Sequence, residues 1–153
     1  MDLKNILTTT TVGELTLTEC PKLGLSDTVT QAIASMRKMS HGCVVVCDGT
    51  QLQGIFTERD LLTVIANGNF ETSLESVMTG NPKTVSADQS LFTATGYMDQ
   101  GGYRRLPVIG ADGQPVGILD VKAITHFLVE HFPEAIYNQA SHAQLIAKHR
   151  EGA

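Results

Sequence analysis

The run Gly54-Ile55-Phe56-Thr57-Glu58-Arg59-Asp60 carries the residues in this chain best spaced for chemistry. An apolar stretch ends at Phe56, and a helix is expected to begin at Thr57. Thr57 followed by Asp60 has the form of a capping box, in which two side chains satisfy backbone N–H groups and no ligand is needed. The same geometry can hold a nucleoside. The first turn of a helix offers free N–H groups and the positive end of its dipole to a phosphate. A carboxylate one turn in can accept two hydrogen bonds from a ribose diol, with Ile55 and Phe56 as an apolar wall for the base. On this segment alone the cap is the simpler reading. A second set lies in the loop Tyr103-Arg104-Arg105-Leu106-Pro107-Val108. Its guanidinium forks suit phosphate oxygens in pairs, although on this loop alone a solvated face or a salt bridge to an acidic neighbour is the simpler reading of Arg104 and Arg105.

The elements that must position these residues occur twice. Gly54 in Leu52-Gln53-Gly54-Ile55-Phe56 matches Gly117 in Pro115-Val116-Gly117-Ile118-Leu119 at an offset of 63. Ala32 and Met36 match Ala94 and Met98 at 62, which points to one inserted residue between Met98 and the next strand. Val12 and Leu15 match Leu74 and Val77, again at 62. The repeat covers roughly residues 12–68 and 74–131. Each copy reads the same way. In the first, a helix is expected from about Thr28 to Met39, with Val29, Ala32, Ile33 and Met36 on one face. Its partner is expected near Gln89, where Ser86 and Gln89 have capping-box spacing. The β-branched run Val44–Val46, or Leu106–Ile109, reads as a strand. Asp48-Gly49 and Asp112-Gly113 then favour a tight hairpin into a second strand. A last helix carries Leu61, Leu62 and Ile65, or Ile124, Phe127 and Leu128, and Gly68 is expected to close the first of them. The fold class is therefore α/β (α+β), each half strand-helix-strand-strand-helix. Units of about 57 residues are marginal alone, and the two are expected to pack sheet to sheet. The division is an N-terminal extension (1–11), two repeats (12–70 and 71–132) and a tail (133–153).

The second copy separates capping from binding. At the place of Thr57 and Asp60 stand Asp120 and Ala123. Asp120 still makes an N-cap, but Ala123 has no carboxylate, and Asp120 puts negative charge where a phosphate would sit. One competent nucleoside site and one degraded site are expected.

With the repeat, the hairpins and the Gly-apolar-x-Thr-x-x-Asp element in view, the chain resembles a tandem pair of CBS domains (the cystathionine β-synthase type) over about 12–131. The resemblance implies a pseudo-two-fold body with ligand clefts at the junction of the halves, in a stand-alone CBS-domain protein. One cleft would combine Thr57 and Asp60 with Arg104, Arg105 and Pro107. The stretch Asn81-Pro82-Lys83-Thr84 would lie along an adenine, and Lys122 and His41 would add phosphate contacts. A phosphate-facing His41 would make affinity rise as pH falls through its pKa. The other cleft would take Asp120, Ala123 and His41-Gly42-Cys43-Val44, and is expected to be empty or to bind something different. The implied ligand is AMP, ADP or ATP, with S-adenosylmethionine ranked lower.

Bulk properties are those of an ordinary soluble globular chain. The 153 residues are 42% hydrophobic and 18% charged, with net charge −5, which disfavours nucleic acid as a partner. Cys20, Cys43 and Cys47 form no disulfide framework. Cys43 and Cys47 are separated by roughly 13 Å of strand, too far to bridge. All three read as small apolar residues in a reducing compartment. The start, Met1 to Asn5, lacks an apolar signal core, and no apolar run approaches the ~20 residues that span a bilayer. The expected location is the cytoplasm, without membrane attachment.

Metal and catalytic motifs are not evident. His126 and His131 are five apart, off the i, i+4 spacing of a helical metal site. His142 and His149 lie in the tail, and no nucleophile has a local base. Beyond the repeat, Ile136, Ala140 and Ala147 could line a helix, either as a frayed appendage or as a docking arm for a second subunit; Leu3, Ile6 and Leu7 pose the same choice. The expected function is a sensor, a homodimer regulating an unknown protein. The alternative is a ligand-free dimerisation or interaction scaffold, and an enzyme is the least supported.

Overall fold

The computed structural model describes residues 2–131; the tail positions Ile136, Ala140, His142, Ala147 and His149 lie outside the described residues. Helix α1 (Leu3–Thr9) leads, capped by the Asp2 carboxylate, and a 3-10 turn (Val12–Glu14) follows. The first repeat is β1 (Lys22–Gly24), α2 (Val29–Met39), β2 (Cys43–Asp48), β3 (Gln51–Thr57) and α3 (Glu58–Asn67). After the short α4 (Leu74–Val77) and β4 (Thr79–Gly80), the second repeat runs β5 (Val85–Ser86), α5 (Leu91–Gly101), β6 (Arg105–Ile109), β7 (Pro115–Asp120) and α6 (Val121–His131). Among the described residues no helix is long and apolar enough to cross a membrane.

Two sheets result, of order β1-β2-β3-β4 and β5-β6-β7. In each, the first strand runs parallel to the second across the intervening helix, and the second turns back on the third through a hairpin. The hairpin glycines Gly49 and Gly113 take positive φ, 61° and 81°, as the Asp-Gly pairs predict. Gly68 closes α3 at φ 76°. Two expectations need correction. Gln89 does bond to the Ser86 N–H at 2.8 Å, but this closes a turn; α5 starts two residues later, with Ser90 accepting from the Thr93 N–H at 3.1 Å. The inserted residue is not between Met98 and β6. Val46 and Val108 still match at an offset of 62, whereas the glycines facing them across the hairpins, Gly54 and Gly117, match at 63, so the extra residue lies in the second hairpin.

Alternation along the strands divides the interior into three cores. Val44 and Val46 of β2 and Phe56 of β3 face helices α2 and α3, packing on Val29, Ala32, Met36 and Val64. The opposite faces, Cys43, Val45, Cys47 and Ile55, meet Ile118 of β7 in a seam between the sheets. The third core lies behind the second sheet, among Leu91, Ala94, Leu106, Leu119 and Ile124. Ile6 of α1, Val12 and Leu15 are buried there too, so the N-terminal segment docks on the second repeat. Reciprocally, Leu74 of α4 is buried in the core of the first repeat. The chain therefore crosses the seam twice. Thr18 pairs with Ile118 of β7 and, three residues on, the Pro21 carbonyl accepts from Val45 of β2. Thr79 and Gly80 pair with β3, whereas Val85 pairs with β6.

Both repeat glycines sit under these crossings. A Cβ on Gly54 would stand 2.9 Å from the Thr79 carbonyl oxygen and overlap Met78; one on Gly117 would stand 2.8 Å from the Leu17 Cβ. The backbone must give way for either. Gly54→Ala is expected to lower stability by about 1–3 kcal/mol, the usual range for overpacking, as measured by urea denaturation. An unchanged midpoint would show that the crossing strand is not held against β3.

Candidate functional site

Strand β3 ends where α3 begins, and this junction opens on a cavity of about 570 Å³ between the two repeats. The first repeat supplies Ile55, Thr57, Glu58, Arg59 and Asp60. The crossing segment supplies Thr79 through Lys83, and the loop entering β6 supplies Gly101 through Arg105, with Pro107 behind it. Asp60 and the Arg104-Arg105 pair, 44 residues apart at the nearer of the two arginines, thus face one space. Four cationic side chains line it against two carboxylates, a balance that favours an anionic ligand.

The capping box is formed. Asp60 Oδ2 accepts from the Thr57 N–H at 2.9 Å and lies 3.2 Å from Thr57 Oγ1, which accepts from the Asp60 N–H at 3.4 Å. Thr79 Oγ1 donates to Asp60 Oδ1 at 3.1 Å, tying the crossing strand to the same carboxylate. A carboxylate has about four acceptor positions, so the cap and Thr79 leave Asp60 some capacity for a further donor. The Lys83 ammonium lies over the Tyr97 ring, 3.9 Å from its centroid, a cation–π contact that holds the lysine at the cavity edge. Arg105 Nε bonds Asp120 Oδ2 at 3.1 Å, so the salt-bridge reading holds for that arginine. Arg104 is exposed and makes no ion pair among the described residues.

Of the residues the sequence puts forward, Thr57, Asp60, Arg104, Arg105, Lys83, Ile55 and Pro107 line this cavity. Phe56, Thr84, Lys122 and His41 do not. Phe56 is fully buried and faces the helices. Adjacent strand residues point to opposite faces, so Ile55 and Phe56 could not both wall one cavity, a signal already present in the sequence. His41 stands in a separate cavity with Arg37, Ser40, Gly42 and Glu58, which Arg105 also reaches. Its expected part in the pH dependence of phosphate binding loses its geometric basis. Sequence reasoning missed Glu58, Arg59, Thr79 and Gly80 as lining residues. Glu58 and Arg59 fall inside the motif it quoted; Thr79 becomes visible only once α4 is seen to pack back on the first repeat.

The second cleft is built differently. Asp120 caps α6, its Oδ1 accepting from the Lys122 N–H at 2.8 Å, and its other oxygen is taken by Arg105. Opposite it stand Cys20 and Cys43, both buried, with sulfurs 3.6 Å apart. The hydrogen bond from the Cys20 thiol, with Arg105 adding to it, outweighs burial and holds the Cys43 thiol below its usual range. Cys20 is pushed up by the neighbouring Cys43 sulfur and then by burial. Burial also raises Cys47, on the far end of the strand.

Comparison with known proteins agrees with this fold. The model of the CBS domain family matches the chain twice, at residues 12–67 and 74–130. The CBS domain-containing protein CBSCBSPB1 of Arabidopsis thaliana is 34% identical over 115 residues, which cover 73% of this chain and 21% of that protein. The chain thus spans about a fifth of the plant relatives it matches. An uncharacterized 17.7 kDa protein of Acidianus ambivalens is 28% identical over 122 residues, 79% of this chain and 74% of that one. Among solved structures, CBSX2 of Arabidopsis thaliana in complex with AMP superposes with TM-score 0.70 at 24% identity, covering 78% of this chain and 96% of that one. The CBS domain protein PAE2072 of Pyrobaculum aerophilum complexed with AMP gives TM-score 0.71 at 19% identity, over 86% and 98%. The CBS domain pair of protein MJ0100, in complex with 5′-methylthioadenosine and S-adenosyl-L-methionine, gives 0.69 at 22%, over 78% and 99%. The mixed α/β body, with its two sheets packed on each other, is the fold of these CBS pairs.

Cap and ligand roles are separable by stability. Thr57→Ala removes the α3 cap and is expected to cost about 0.5–2 kcal/mol. Arg104→Ala, at an exposed and unpaired position, should stay within about 0.5 kcal/mol of the parent. Denaturant midpoints of the two variants check this; an Arg104→Ala loss as large as that of Thr57→Ala would make Arg104 a structural residue.

Proposed function

This chain belongs to the CBS domain family, and on that premise we propose that it is a regulatory module, not an enzyme, which binds an adenine nucleotide between its two repeats. The observation that carries the proposal is that Asp60 and the Arg104-Arg105 pair, contributed by different repeats, open on one cavity. In this reading Asp60 takes the ribose diol, Ile55 and Pro107 flank the base, and Arg104 holds phosphate with Arg59 or Lys83 nearby. A ligand gripped from both sides of the seam favours one relative angle of the halves over another. Its signal is limited to its difference in affinity for the two shapes. AMP, ADP and ATP fit the cationic rim, and the nucleotide-bound relatives support an adenosine ligand. The free, buried cysteines support a reducing compartment, with the cytoplasm as the proposed location. A homodimer acting on a regulated protein completes the proposal; exposed Leu62 and Ile65 on α3 support the dimer.

Calorimetry of the full chain with AMP, ADP, ATP and S-adenosylmethionine tests the reading. At least one should bind well below millimolar. Arg104→Ala should weaken it by roughly 10- to 100-fold, the worth of a hydrogen bond to a charged group, and Asp60→Ala should weaken it as well. No binding below millimolar by any of the four would sink the proposal. The second reading, a ligand-free scaffold, draws on the same exposed α3 residues. It is favoured if Leu62→Glu abolishes self-association in a chain that binds none of the four.

A further inference from the structure

The repeat relates the two clefts position by position, at an offset of 61 where the crossing segments pass over Gly117 and Gly54 and of 62 at the entry to β2 and β6. Asn81, Tyr103 and Arg105 line the cavity described above. Their counterparts in the first repeat are Cys20, His41 and Cys43. A carboxamide, a phenol and a guanidinium are thus replaced by two thiols and an imidazole, the side chains that bind borderline-soft metal ions. We propose that the second cleft is a binding site for a thiophilic divalent cation of the zinc class, held by Cys20, His41 and Cys43. This rests on its own geometry and not on the nucleotide reading.

Three observations carry it. The ligand atoms of the three residues all lie within 4.8 Å of one another. The two sulfurs stand 3.6 Å apart, far beyond the ~2.0 Å of a disulfide and close to the ~3.8 Å edge of a tetrahedron with zinc–sulfur bonds of about 2.3 Å. Both ring nitrogens of His41 are buried from solvent and have no hydrogen-bond partner. Buried polar atoms are almost always satisfied, and a coordinate bond would satisfy one of these two. The backbone explains why the three meet. Cys20 sits where the chain crosses from β7 to β2, Cys43 begins β2 with its side chain in the seam, and His41 follows the left-handed Ser40 that ends α2. His41 also borders a cavity of about 420 Å³, which gives an ion a path in. Two thiolates would neutralise a divalent charge. Three protein ligands leave a fourth position for water or an exchangeable ligand.

The full chain, reduced with a phosphine and stripped with a chelator, should bind one Co²⁺ per chain with a thiolate-to-cobalt charge-transfer band, and Zn²⁺ should displace it at micromolar concentration. Cys20→Ser and Cys43→Ser should each abolish the band. His41→Gln should weaken binding by at least about tenfold, since even outer-shell partners of metal ligands are worth about 10- to 100-fold. Cys47→Ser, in the same strand but outside the cluster, should leave the spectrum unchanged, and so should Asp60→Ala, which separates this site from nucleotide binding. Circular dichroism verifies that the serine variants fold; if one does not, His41→Gln and Cys47→Ser still decide. The absence of a charge-transfer band in the reduced parent would overturn the proposal. So would a band lost in Cys47→Ser or undiminished in His41→Gln, or binding of Cu⁺ with none of Zn²⁺ or Co²⁺.

Discussion

Among the described residues each sheet has helices on one face, and its other face is kept from water by the other sheet. Cys43, Val45, Cys47 and Ile55 on one side and Ile118 on the other are buried in that seam. At about 25 cal/mol per Å² of apolar surface, separating the sheets would forfeit the burial that a unit of some 60 residues, hiding only about 60% of its surface, cannot spare. The two crossings reinforce the joint, because each repeat has part of its core filled by a segment that precedes the other repeat. Clefts form at the ends of such a seam, where strands stop, helices start and the crossing segments pass. Both sets of chemistry-bearing side chains sit at those ends.

The two ends share a scaffold and differ in what is mounted on it. Thr57 and Asp120 both cap a helix that follows the last strand of their repeat. Only the first end adds a carboxylate one turn in, at Asp60, where the second has Ala123. Arg105 belongs to both: it lines the cavity with Asp60, yet its Nε is committed to Asp120 in the other cleft. That pairing neutralises the aspartate, which would repel an anion, and places a guanidinium beside Cys43. A change at either end therefore has a physical route to the other through a single side chain.

Much of this was legible before any coordinates. The repeat stood out because Gly54 and Gly117 lie under crossing segments that tolerate no side chain, so glycine marks both. The helix faces, the Asp-Gly hairpins and the Thr57–Asp60 cap follow from local rules that the tertiary structure did not override. The α5 start was misplaced because Ser86 and Gln89 form a genuine hydrogen bond that closes a turn in place of a helix. The meeting of Asp60 with Arg104 came from resemblance, since no local rule relates residues so far apart. Thr79 escaped notice because nothing in its own segment shows that α4 packs backwards. Cys20, His41 and Cys43 are too dispersed for any metal motif, the cysteines reading alone as apolar residues and His41 as a phosphate contact; only the chain crossing at Pro21 brings Cys20 to the others.

The central claim is that one ligand touches both repeats across the seam. Backbone amide shifts followed by NMR while AMP is added to the full chain test it most directly. The account predicts saturable shifts in two separated stretches, 57–60 from the first repeat and 101–105 from the second, moving together with one dissociation constant. Shifts confined to one of those stretches, or centred on the outer helix faces, would contradict it.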